Sequence, residues 1–299
     1  MMAQYRIFAA AGLGLGLLLT SCGGPQEIGD AEVPADTLQK EPRETEILSI
    51  GGRLFSIPSP VQGALAIRNA GLQYQKDLTT PLEHADRATG KIAQAALLGI
   101  YGADLAYTTV HQDGQRAMAT LQVIEKLSSA LELSNAFDRS LMEEFRTNLN
   151  NEDSLLRFSS KAFGAADRYL KTDQREDVST LILTGGWIQS LYLSLADPSA
   201  MNDQKLINRI GDQKASLDAL IELLNNTDSD RSAAALLQAM RDLRSEYDGV
   251  VRTYSYESPV TDAARKTTFI NSSTTVAIPP EKLEAIRARV ASVRSLILA

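Results

Sequence analysis

Leu283, Ile286, Val290, Val293 and Ile297 recur at steps of 3, 4, 3 and 4, a spacing that makes residues 280–298 an amphipathic helix with one apolar seam. Two earlier stretches carry the same signature. Ile207, Ile210, Leu217, Leu220, Ile221 and Leu224 form one stripe, Leu236, Met240, Leu243, Tyr247, Val250 and Tyr254 form another, and the polar turn NNTDSDRS joins them. Such a seam is stable only when another helix covers it, so the pair reads as an antiparallel hairpin on which the final helix docks. Cap signals, Ser, Thr or Asp followed by Pro or an acidic residue, punctuate the chain from Ser59 to Tyr254. They place helices near 60–76, 81–111, 114–132, 135–148, 152–170, 174–196, 203–225, 230–255 and 280–298. The expected fold is all-α: a multi-helix antiparallel bundle of eight or nine helices in a single domain, 47–299, with the docking helix last. ILSIGGRLFSI (47–57) sets two β-favouring runs around Gly51-Gly52, the sequence of a short β-hairpin at the N-terminal edge. TTFINSSTTVAI (267–278) reads as an extended return, and no 34-residue helical repeat is present.

The first 46 residues are of another character. Arg6 supplies a cationic start, IFAAAGLGLGLLL an apolar run too short to span a bilayer, and Leu19-Thr20-Ser21 small residues before a cut site. Residues 1–21 therefore read as an export signal. Cys22 is the only cysteine in the chain, and it directly follows that site. Leu-Thr-Ser-Cys resembles the lipobox of bacterial lipoproteins, which implies that Cys22 carries diacylglycerol and palmitate-type acyl chains and anchors the mature protein to a membrane, each buried methylene worth about 0.8 kcal/mol. With that sulfur acylated, disulfides, a cysteine nucleophile and a thiolate metal site are excluded. Residues 23–46 carry seven acidic and two basic residues with three prolines and no aromatic, the composition of a disordered acidic tether over 22–46. Gly23 in place of Asp points to the outer membrane. The formal net charge of -7 argues against a nucleic-acid partner.

Chemistry-bearing motifs are sparse. His84 and His111 are the two histidines, 27 residues apart, which leaves no material for a histidine metal centre, and no Walker loop, dinucleotide fingerprint or nucleophile elbow is present. Neither a cofactor nor a metal is expected. One helix is unusual. In KIAQAALLGIYGADLAYTTVHQ (91–112) Ala96, Gly99, Ala103 and Ala106 make a small-residue stripe, and beside it Tyr101, Asp104, Thr108 and His111 make a polar one. LILTGGWIQSLYLSLA (181–196) carries Trp187, the only tryptophan, next to Gly185-Gly186. Two arrangements fit these residues. The favoured one crosses the two helices tightly, with Trp187 filling space beside the glycines and Asp104 bonded to Tyr, Thr or Ser hydroxyls. The other is a small-ligand pocket lined by Tyr101, Asp104, Tyr107, His111 and Trp187, with Asp104 fixing a cationic or hydroxylated ligand. Lys282, Arg287, Arg289 and Arg294 read as a solvated helix face.

FSIPSPVQ (55–62), GIYGADLAYT (99–108), SLLRFSSKAFGAADRYL (154–170) and TLILTGGWIQSLYL (180–193) resemble a family of uncharacterised Gram-negative bacterial helical lipoproteins, over roughly residues 47 to 200. The resemblance supports the lipoprotein reading and implies no reaction. The expected function is non-enzymatic: an envelope interaction or scaffold protein, held at the outer membrane by its lipid, with an envelope protein as partner. A ligand-binding or sensory lipoprotein using the pocket is the alternative, and a carboxylate-based hydrolase, which needs two acidic side chains converging in a cleft, is the third.

Overall fold

Gly99 and Gly185 bring two helix backbones into contact, and the rest of the bundle is arranged around that crossing. The structure, a computed structural model, describes residues 46–50, 53–133, 143–144, 146–148, 151, 154, 157–158, 161, 175–228 and 230–299. Residues 1–45, with Cys22, and most of the expected helices at 135–148 and 152–170 lie outside the described residues. The helices are α1 (Pro60–Asn69), α2 (His84–Arg87), α3 (Lys91–Val110), α4 (Gly114–Ala130), α5 (Glu176–Leu195), α6 (Gln204–Thr227), α7 (Ala234–Glu246) and α8 (Pro280–Leu298). The all-α class holds. Strands β1 (Glu46–Ile50) and β2 (Arg53–Ile57) form the expected antiparallel hairpin around residues 51–52.

Capping chemistry sets the starts. Ser59 accepts from the Gln62 amide with Pro60 at the first turn of α1, Asp113 accepts from the Arg116 amide at 2.9 Å, and Asp203 from the Leu206 amide at 2.8 Å. Two ends differ from the sequence expectation. Helix α1 stops at Asn69 rather than 76 because Gly71, at φ 74°, closes a paired-bond cap in which Leu72 N–H reaches Ile67 O. The helix expected over 81–111 begins in earnest only at Lys91, behind Gly90 at φ 87°, and residues 72–83 form a largely non-helical strap.

In α3 and α5 the small-residue stripe does what its geometry allows. A methyl group built on Gly99 would lie 1.9 Å from Ile182 O, and one on Gly185 would lie 1.9 Å from Ala96 O, so the two backbones touch reciprocally. Lys91 pairs with Asp177 at one end and Asp104 meets Gln189 further along, so these two helices run parallel inside an otherwise mainly antiparallel bundle. The return between the two parallel helices is made by α4, whose last turns reach back beside the start of α3, where Lys126 pairs with Asp86. Around this pair, α1 lies across both, α4 folds back on α3, α6 folds back on α5, α7 folds back on α6 and α8 runs antiparallel to α5 and α7. Among the described residues α5 alone is long and apolar enough to cross a membrane, and 83% of that stretch is buried within the fold, the position of a central core helix.

The C-terminal part holds the largest departure. Tyr254 was expected on the seam of a helix reaching 255, but α7 ends at Glu246 in a single 3-10 turn, Tyr247–Gly249, and the chain becomes strand. VVRTYSY, dense in β-branched and aromatic residues, prefers a pleated backbone once Gly249 has interrupted the helix. β3 (Val251–Ser255) pairs with β6 (Ser273–Ala277), and β4 (Val260–Asp262) with β5 (Thr267–Phe269), both antiparallel, so 251–277 makes one long two-stranded ribbon. The extended return expected at 267–278 is its second strand.

The glycine contact gives a direct test. Gly185→Ala should destabilise the protein by about 3 kcal/mol or more despite the better helix propensity of alanine, because the methyl group meets backbone that cannot yield. Gly63→Ala, whose methyl would lie 3.4 Å from Ser190 Cβ, should be neutral or stabilising by a few tenths of a kcal/mol. Urea unfolding of both variants measures the contrast.

Candidate functional site

Four of the five residues expected to line a pocket lie along one face of α3, and what they face is the chain itself. Asp104 is fully buried: the Thr80 amide donates to Oδ2 at 2.8 Å and Gln189 Nε2 to Oδ1 at 2.7 Å. Tyr101 donates to Pro81 O at 2.7 Å, and Tyr107 accepts from the Gln75 amide at 3.0 Å. Gln189 Nε2 also lies 3.3 Å from Leu78 O, and Arg116 Nη2 donates to Thr80 O at 2.6 Å. All of these bonds but the one between Gln189 and Asp104 go to the backbone of the strap. The strap is only partly buried, with Leu72, Thr79 and Thr80 inside, and the N–H and C=O groups it turns inward find partners among side chains of α3, α4 and α5. On the face where the alternative reading placed a ligand, residues 75–82 of the chain itself are bonded, and backbone contact fills the crossing of the two helices.

Trp187 does not join the other four. It follows Gly186 and precedes Gln189 by two positions, about 200° around the helix, so it turns away from Asp104 and donates from Nε1 to Gln213 Oε1 on α6 at 2.8 Å. Its ring is buried toward α6, about 200° around α5 from Gly185 and so off the Gly99–Gly185 contact. Asp104 has a hydroxyl partner of the kind the favoured arrangement expected, Thr80, together with the Thr80 amide and the Gln189 side chain. His111, at the end of α3, stacks on Tyr74 with ring centres 5.4 Å apart and meets Tyr107 edge-on at 4.7 Å. Its Nε2 has no hydrogen-bond partner among the described residues. Burial, then the nearby Arg68 charge, holds its pKa below the ordinary value, so the ring is neutral in the fold.

Two residues in this network were not singled out from sequence, Thr80 and Gln189, and a third, Arg294, was read as solvated. Arg294 Nε donates to Gln189 Oε1 at 2.6 Å, its Nη2 to Thr80 Oγ1 at 3.1 Å, and its guanidinium lies 4.4 Å over the Tyr192 ring. The network has a direction. Arg294 can only donate, so Gln189 must turn its oxygen to Arg294 and its nitrogen to residue 104, which therefore has to accept on both sides. An ionised carboxylate does so.

A separate cavity of about 650 Å³ opens at the other end of α3. Ile92, Leu181, Leu224, Leu236 and Ile297 supply apolar walls, and Lys91, Asp177, Asp228 and Asp230 supply charge. None of the five sequence-chosen residues lines it, and no group of three His, Cys, Asp or Glu side chains suited to a metal occurs among the described residues.

The β-ribbon is the most exposed part of the described chain. Of the seven large apolar side chains that stand exposed, six lie on it or in its irregular middle: Val251, Tyr254, Tyr256, Val260, Phe269 and Ile270. Tyr254 is 64%, Tyr256 68% and Ile270 79% exposed. Comparison of the chain with protein-family profiles, with characterised proteins and with solved structures finds no match.

The directed network predicts a pH-dependent difference. Burial pushes the Asp104 pKa up to about 6, against the pull of the Thr80 and Gln189 hydrogen bonds and the Arg294 charge. The folded chain thus takes up a proton below about pH 6 that the unfolded chain takes up only near 3.8, and the contribution of Asp104 to stability grows as pH falls through that window. Asp104→Asn, which sets an amide donor against a donor, should cost about 2 kcal/mol at pH 7. Its deficit against wild type should widen at pH 5, since the His111 contribution, lost as pH falls, is common to both proteins. Urea melts at the two pH values measure it, and a deficit that narrows on acidification means that the carboxyl stays ionised throughout.

Proposed function

We propose that this chain is a lipid-anchored envelope protein, held at the outer membrane through Cys22, that works by binding another macromolecule and not by catalysis. The observation that carries the reading is the ribbon. Folding removes apolar side chains from water wherever it can, and a chain that leaves six of them on one projecting element retains a surface whose burial another molecule completes. The polar residues first suspected of ligand chemistry are engaged with the strap, so they give the binding role no competitor on that face. The disordered tether expected over 22–46 suits such a role, because it frees the helical body to meet a partner away from the anchor.

A photo-activatable aromatic residue placed at Tyr256 or Ile270 of the full chain in intact cells should give a discrete cross-linked product. The same residue at Gln122, exposed on α4, should give none, and a Cys22→Ala chain, released from the membrane, should lose the product. Absence of any product from both ribbon positions overturns the binding role.

A second reading rests on the cavity at the ends of α3 and α5, whose volume of about 650 Å³ and mixed apolar and charged lining match small-molecule sites. It keeps the sensory role but moves it from the α3 stripe to this cavity. A compound that raises the melting temperature of the wild-type chain should fail to do so with Ala235→Trp, which fills the cavity from α7; equal shifts in both proteins exclude the site.

A further inference from the structure

Strand β3 presents its outer edge to solvent, and the neighbouring contacts show which groups that edge offers. The Val276 amide donates to Asn208 Oδ1 at 2.9 Å and its carbonyl accepts from Gln204 Nε2 at 2.8 Å, both on α6. Val276 therefore turns its backbone away from β3, and by the alternation of an antiparallel ladder its cross-strand neighbour Arg252, and Tyr254 beyond it, turn theirs outward on the opposite side. On the β6 side α6 caps the edge. On the β3 side nothing does among the described residues: Val251, Arg252, Thr253, Tyr254 and Ser255 are all exposed, and the strand contains no proline and no lysine, the usual devices that keep an edge from pairing.

We infer that the β3 edge pairs with the β3 edge of a second copy of this chain, antiparallel about a twofold axis at Thr253, joining two ribbons into one four-stranded sheet. This deepens the binding role proposed above and rests on it. Three observations choose a second copy over other occupants. Centring on Thr253 matches the whole strand with itself, Val251 against Ser255 and Arg252 against Tyr254, so every outward amide and carbonyl of the strand finds its complement. In that register no like charges oppose: Arg252, the only charged residue of β3, is already paired with Asp212 at 3.0 Å and faces a tyrosine of the second copy. The six exposed apolar side chains of the ribbon supply apolar surface for such a pairing to cover. A lipid surface fits less well, since the unpaired amides and carbonyls of an open edge cannot enter hydrocarbon. Antiparallel pairing also sends each ribbon tip toward the body of the other copy, which covers Val260, Phe269 and Ile270.

Full-length chains carrying Thr253→Cys, Val251→Cys or Thr275→Cys test the register. Cys22, acylated, supplies no second thiol, and the unaltered chain is the control for that. At the twofold position two Cα atoms stand about 4.5 Å apart, within disulfide range, whereas the other two positions lie well beyond it. Mild oxidation of membranes should link Thr253→Cys into a dimer and leave the other variants and the control unlinked. Sedimentation of the full chain in detergent should give a dimer, and Tyr254→Pro, which removes an outward donor without touching the β3–β6 ladder, should weaken it at least tenfold with unchanged helical circular dichroism. Equal linking at all three positions, or a wild-type chain that sediments as a monomer, overturns the self-pairing. A monomer whose Tyr256 still cross-links to a different envelope protein refutes the second copy and leaves the binding role standing; a monomer with no cross-linked product removes both.

Discussion

The Asp104 carboxylate is the pivot of this protein. Placing an acid at full burial opposes folding, and the cost is met here by two donors at 2.7 and 2.8 Å, one of them the amide of a strap that has no other way to satisfy its backbone. Each party solves the other's problem. The strap can close over α3 because α3 offers its inward-facing backbone polar side chains in helical register, and Asp104 can be buried because the strap offers it an N–H. Gln189 and Arg294 extend the same logic to α5 and α8, so one chain of donors and acceptors fixes four elements relative to one another.

Close backbone approach makes that network reachable. Were α3 and α5 separated by ordinary side chains, helix axes would stand 8–10 Å apart, and the Gln189 amide would have further to reach. Gly99 and Gly185 bring the backbones into contact, and the parallel course of the two helices puts Gln189 beside Asp104. The glycines and the carboxylate thus belong to one construction, with packing setting the distance over which hydrogen bonding acts.

Much of this was legible in the residues. The stripes of α6 and α8, the cap at Ser59 and the hairpin at 47–57 follow from local periodicity and local hydrogen bonding, which is why they can be read one window at a time. The tight crossing was legible too, because only small residues permit it. What escaped was non-local. Gln189 looks like any polar residue on a helix, and Arg294 looks solvated, since nothing within a few positions of either announces a partner on a distant element. The strap at 72–83 has no period to detect. At 251–255 the helical spacing of Leu243, Tyr247, Val250 and Tyr254 continued past the point where Gly249 and the β-branched run had changed the backbone, and the apolar count was assigned to the wrong period.

The bond between Arg294 and Thr80 spans 214 residues of chain. Closing so long a loop adds little to the free-energy cost, which rises only with the logarithm of length. Helices α3 and α4 can associate as soon as both exist, whereas the interior around Asp104 stays incomplete until the final helix settles. Removing α8 would therefore leave Gln189 and Thr80 without their shared donor and uncover the interior around Asp104.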